Sequence, residues 1–185
     1  MSHSKFAIAS AATALLVLGN ATLARSEALF TTPFGIFYTI HSRDTVPYAK
    51  SYSPGTIVVA TSERHLYYVL GHGQALRYTI GVGRSGQQWF GTTRIASKHI
   101  RPAWKPPASI RGNRSPDFFI EAGSPRNPMG AAALVLADNE LAIHGTNNPS
   151  SIGGFVSAGC IRMHNKDIMD LYGRVHVGTR VVFAK

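Results

Sequence analysis

From Thr56 onward, short apolar runs alternate with polar breaks. Segments 56–60, 65–70 and 76–82 are rich in β-branched and aromatic residues, and Ser62-Glu63-Arg64 and Gly71-His72-Gly73 divide them. Runs of that length between turn formers predict a meander of hairpins. The same pattern predicts strands over 91–96, 118–121, 131–137, 141–144 and 180–183. One helix stands out: Ile168, Leu171, Tyr172 and Val175 follow helical spacing, Asn165 is the expected N-cap, Asp167 and Asp170 fall in the early turns, and Gly178 follows. The expected class is therefore mainly β, with one domain over 55–185. Residues 29–54 carry Pro33, Pro47 and Pro54 without sustained periodicity and read as an extended lead-in that packs only partly.

Residues 1–28 read differently. Lys5 precedes an uncharged stretch that ends in small residues, the pattern of a secretory signal, with cleavage expected after Ala24 or after Ala28. Its apolar centre, 6–18, is shorter than the roughly 20 residues that cross a bilayer, so cleavage is preferred over an uncleaved anchor. No stable membrane span is expected afterwards.

At 185 residues the chain is long enough for one well-cored domain, and 44% hydrophobic with 15% charged residues excludes extended disorder. Nineteen Lys and Arg against nine Asp and Glu leave a formal charge of +10, which favours a polyanionic partner. Export and the absence of any run of five basic residues argue against nucleic acid. Between Arg94 and Arg114 six cations and no acidic residue surround Trp104 and Pro106-Pro107, and a loop is expected there: either a solvated basic surface or a wall for a carboxylate-bearing ligand. The stretch 84–88, flanked by Gly83, is read as a turn.

Cys160 is the single cysteine, so no disulfide forms within the chain and no Cys-based zinc cage exists. It follows Ser157-Ala158-Gly159 after a Gly/Asn/Pro/Ser loop that begins at His144. A thiol becomes a strong nucleophile when a nearby imidazole takes its proton, and His144 at a strand end is the expected partner. His164 is a rival, either as base or with Cys160 in a metal site; no metal or cofactor is expected. Gly159 permits close approach of a carbonyl, and the N–H groups of Gly159 and Cys160 are candidates for holding an oxyanion. Arg162, two residues on, is placed to clamp a substrate carboxylate. Each residue has a plainer reading: Cys160 as a packed small hydrophobe, His144 as a satisfied structural histidine, Arg162 as a surface charge.

Ile143-His144-Gly145-Thr146-Asn147, then Ser157-Ala158-Gly159-Cys160-Ile161-Arg162-Met163, then Asn165-Lys166-Asp167-Ile168 with Asp170-Leu171-Tyr172, resembles the active-site signature of the YkuD-type L,D-transpeptidases. Pro54-Gly55-Thr56-Ile57-Val58-Val59, Leu66-Tyr67-Tyr68-Val69-Leu70, Gly81-Val82-Gly83-Arg84 and Trp104-Lys105-Pro106-Pro107 extend the resemblance upstream, so it covers Pro54 to the C-terminus. It implies a β-sandwich-like catalytic domain with a cap loop. It also implies Cys160 as nucleophile, His144 as base, the Gly145 backbone as orienter of the imidazole, and Ser157, Gly159, Arg162 and the cap-loop Trp104 as substrate-binding residues. The implied reaction is periplasmic: attack on the diaminopimelate–D-Ala bond of a peptidoglycan stem, a thioester, and transfer to an amine of another stem or of an outer-membrane protein. Water as acceptor makes an L,D-carboxypeptidase of the same site; a non-catalytic wall-binding module and a cysteine endopeptidase are the other readings. Many relatives carry histidine where this chain has Ala158, which removes the nearest alternative to His144.

Overall fold

A computed structural model describes residues 31–32, 35–36, 43–49, 51–137 and 141–185. The expected signal segment lies outside the described residues. The chain forms two compact units, Met1–Thr39 and Ile40–Lys185. In the first, β1 (Thr31–Thr32) and β2 (Gly35–Ile36) pair antiparallel.

The second unit holds the remaining elements. In chain order they are β3 (Arg43–Pro47), β4 (Ile57–Ala60), β5 (His65–Gly71), β6 (Gln74–Thr79), β7 (Val82–Gly83), β8 (Gly91–Ile100), α1 (Ala108–Arg111), β9 (Ala132–Leu136), β10 (Ala142–His144), β11 (Phe155–Ser157), β12 (Ile161–Arg162), α2 (Asn165–Arg174) and β13 (Arg180–Ala184). Nine strands join in the order β12-β10-β9-β8-β13-β4-β5-β6-β3, while β11 and β7 pair separately. The mainly β class is thus observed.

Long β8 carries the architecture. Its residues Gly91 to Arg94 pair with β13, and from Ile95 on the strand pairs with β9, with an irregularity between Ile95 and Ser97 where the partner changes. A bulge bends a strand and sharpens its twist, so one strand serves two sheet halves. Both halves face one core, in which Ile57, Val59, Leu66, Tyr78 and Phe183 meet Leu134, Ile143, Ile161 and Met163, and Ile168, Leu171 and Val175 of α2 close it. Alternation in β4 and β13 sends Val58 and Val182 to the opposite face, where Tyr48, Val69 and Ala75 cover them.

Several expectations shift. The strand expected over 76–82 ends at Thr79, because the chain leaves β5 there to bridge Gly81 with Arg162 through reciprocal 2.8 Å hydrogen bonds. A Cβ on Gly81 would lie 2.9 Å from the Ser151 carbonyl oxygen, so the crossing needs glycine. The strand expected over 118–121 reduces to a single bridge, Ile120 with Trp104. Turn bonds from Phe118 N–H to Ser115 O and from Ser124 N–H to Glu121 O occupy its flanks. Arg94 and Lys98, expected on a loop, lie on β8. Residues 43–47, inside the lead-in, form the edge strand β3, whose terminal Pro47 suits an edge.

Candidate active site

The site is built on a strand pair. β10 and β12 run parallel with Ile143 opposite Ile161 and His144 opposite Arg162. Ile143 and Ile161 point into the core, so alternation turns His144 and Arg162 to the other face, and Cys160 directly precedes β12. The neighbourhood of these groups is also electrostatic: the Arg162 charge acts on both the His144 ring and the Cys160 thiol. The Arg162 backbone is held between His144 and Gly81, which fixes the register of the nucleophile.

His144 ends β10, the strand-end position expected for it, and is buried there. Its Nδ1 lies 2.7 Å from the Gly145 carbonyl oxygen. A carbonyl only accepts, so Nδ1 carries the proton and Nε2 keeps its lone pair for a proton from elsewhere. Burial lowers the ring to about 4, the Gly145 and Pro128 carbonyls pull upward against it, and Arg162 adds to the lowering. Gly145 thus supplies the orienting carbonyl.

Cys160 is partly exposed and can be reached. Burial of the sulfur pushes its thiol above the ordinary value, and a backbone hydrogen bond from Ala142 and the charge of Arg162 offset part of this. Both shifts favour the uncharged forms, the thiol for Cys160 and the neutral imidazole for His144.

Ser157 and Gly159 hold the loop. The Ser157 hydroxyl donates to the Cys160 carbonyl at 2.6 Å and accepts the Gly159 N–H at 3.0 Å. The Gly159 N–H, a candidate oxyanion donor, is thus committed to Ser157, and Ser157, expected as a substrate-binding residue, is buried and ties the turn before β12. Gly159 has φ +127°, and a Cβ there would lie 2.9 Å from Leu141 Cδ2, so the turn admits only glycine without strain. Trp104 is held on the loop 101–131 by its bridge to Ile120. His164 is the N-cap of α2, with no side-chain capping bond.

Sequence reasoning missed two asparagines. Asn127, buried in the loop 101–131, donates to the carbonyls of Pro102, Glu121 and Ile120 and accepts the Met129 N–H, so one side chain ties the loop's two limbs. Asn165, expected as the N-cap, is instead the first residue of α2, and its amide reaches sideways to Ala131 and Thr146. The prolines flanking Asn127 were a signal for its loop; the partners of Asn165 lie far off in sequence.

A cysteine directly before β12 and a buried histidine on the parallel strand β10 are the residue types of a thiol acyl-transfer class of site. The YkuD family model, L,D-transpeptidase catalytic domain, matches residues 54–183, and the chain belongs to this family. Among its relatives, "Probable L,D-transpeptidase YbiS" of Escherichia coli (strain K12) is 38% identical over 136 residues, 69% of this chain and 44% of the relative. "Probable L,D-transpeptidase ErfK/SrfK" of Salmonella typhimurium is 38% identical over 135 residues, 68% of this chain and 42% of the relative. The chain thus spans less than half the length of these curated relatives. Among solved structures, an L,D-transpeptidase of Enterococcus faecium aligns with TM-score 0.56 at 18% identity, covering 71% of this chain and 50% of that one. L,D-transpeptidase 3 from Mycobacterium tuberculosis aligns with TM-score 0.53 at 18% identity, covering 70% and 60%. At such identity these two establish the shared fold.

Proposed function

We propose that this chain is a periplasmic L,D-transpeptidase acting on peptidoglycan stem peptides. The observation that carries the reading is a buried His144, its Nδ1 committed to Gly145, on β10, which runs parallel to the strand that Cys160 directly precedes. The Cys160 thiol passes its proton to His144 Nε2 as sulfur bonds to the carbonyl at the L-centre of diaminopimelate. The carbonyl oxygen gains charge beside the Cys160 N–H. The C–N bond to D-Ala then breaks, its nitrogen takes the proton from His144, and a thioester remains. An incoming amine attacks that thioester, loses a proton through His144 and returns the thiol. Arg162 binds a donor carboxylate, and Trp104 on the cap loop contributes to the cleft.

The amine comes from a second stem, giving a 3→3 cross-link, or from an outer-membrane protein, giving an anchor to the wall. Water in its place gives the carboxypeptidase. The mature chain, beginning at Arg25 or Leu29, incubated with disaccharide tetrapeptide and analysed by mass spectrometry, is expected to release D-Ala and form a cross-linked dimer. D-Ala release without dimer assigns the carboxypeptidase, and release that survives Cys160→Ala contradicts the mechanism.

A further inference from the structure

The side chain of Asn165 is placed where a helix cap is unnecessary and a strand crossing is crowded. Its Oδ1 accepts N–H groups from Thr146 and from Ala131, each at 3.0 Å, and its Nδ2 donates to the Thr146 carbonyl at 3.0 Å. Both lone pairs of the amide oxygen are thereby used. The seat is made by two glycines. A Cβ on Gly145 would lie 2.3 Å from Oδ1, and one on Gly130, whose φ is +64°, would lie 2.2 Å from it.

The peptide linking Gly145 to Thr146 is one rigid plane, with the Gly145 carbonyl on one side and the Thr146 N–H on the other. The carbonyl holds His144 Nδ1 at 2.7 Å, and the N–H is held by Asn165. The orientation of the imidazole is therefore set through one peptide unit from the first turn of α2. The same amide oxygen binds Ala131, at the end of the loop 101–131, whose Pro128 carbonyl also acts on the His144 ring.

We propose that Asn165 is a positioning residue for the reaction: it locks the Gly145–Thr146 peptide and the returning limb of the cap loop, and so fixes the tautomer and direction of His144. The inference rests on His144 being the base. Without the amide the peptide can rotate, and the proton on Nδ1 loses its dedicated acceptor. Misplacing a proton acceptor by about 1 Å can cost ~100-fold in rate.

The test uses the full mature chain with two readouts: the 15N chemical shifts of the His144 ring nitrogens, and the rate of Cys160 alkylation by iodoacetamide. Asn165→Ala is expected to erase the Nδ1–H signature and slow alkylation by about 100-fold. Asn165→Asp, which keeps both acceptor bonds and guards against a misfolded alanine variant, is expected to retain the signature and most of the rate. Lys98→Met loosens the far end of α2 and is expected to leave both readouts at wild-type values. Wild-type shifts and rate in Asn165→Ala overturn the proposal, as does loss of both in Lys98→Met. His144→Gln separates the two readings: an unchanged alkylation rate there contradicts His144 as base, while the ring shifts in Asn165→Ala still decide the positioning role.

Discussion

His144 and Cys160 are both uncharged at rest, and each consequence of that is measurable. The reactive pair of charges has the same total protonation as the neutral pair, so pH alters the rate only where one partner changes state. With His144 lowered to about 4 and the Cys160 thiol raised, the acylation rate is expected to be level from about pH 5 to pH 8 and to fall as pH drops through about 4. A titration of rate with a midpoint near pH 6.5 contradicts this. Stability carries the same group with a definite sign. The unfolded imidazole takes up a proton below about 6.5 while the folded one resists until about 4, so the unfolded chain binds more protons in that window. His144 thus contributes stability that is present above about 6.5 and lost on the way to about 4, on the order of 3 kcal/mol. Urea unfolding at pH 7 and pH 4 is expected to show this loss in the wild type and to lack it in His144→Gln. The candidates themselves were legible in the sequence because a lone cysteine beside glycine and a histidine before a loop are unusual together. Their protonation at rest was not, because it depends on burial and on the backbones of Pro128 and Ala142, neither of which is near Cys160 in sequence.

Lys98 decides the end of α2. Its Nζ donates to the carbonyls of Tyr172 at 2.7 Å and Val175 at 2.5 Å and lies 4.1 Å from the centre of the Tyr172 ring. The last carbonyls of a helix lack internal partners, and a cation there satisfies them and complements the dipole. The helix ends at Arg174, one residue short of the Val175 that closes its expected spacing. Lys98→Met is expected to cost about 1.5–3 kcal/mol, read as a lower Tm, with acylation unaltered well below that temperature. The opposite face of α2 holds β3. Asp170 accepts bidentate bonds from Arg174 and one from the buried Tyr78 hydroxyl, and pairs with Arg43 at the start of the edge strand. Burial raises its carboxyl, but the bonds from Arg174, Tyr78 and Arg43 outweigh this and hold it well below the usual carboxylate range. Its contribution is present above the ordinary carboxylate value of about 3.9 and lost as pH falls below it, a window distinct from that of His144. Asp170→Asn is expected to quicken hydrogen exchange at residues 43–47 with little change in the centre of the sheet. Unchanged exchange there contradicts the clasp.

Over the whole molecule, the strands with continuous apolar runs were legible in the sequence: β4, β5, β9 and β13 fall within a residue or two of their expected bounds. What escaped were elements defined by partners. β7 and β12 are two residues each and exist because β11 and β10 lie beside them, and β8 extends to Ile100 because a bulge lets it change neighbours. β3 escaped because its own side chains are mostly exposed and its order derives from β6 and from Asp170. β10 and β12 followed the same logic, yet the family they belong to was readable, since residue type and order carried it. The central claim is that Cys160 carries the acyl group and His144 delivers its proton. Intact-mass analysis of the mature chain mixed with disaccharide tetrapeptide at pH 7 tests it directly. The account predicts a mass increase on Cys160 equal to the donor less D-Ala in the wild type, and none in Cys160→Ala or His144→Gln. An adduct of the same yield in His144→Gln, or one on any other residue, contradicts it.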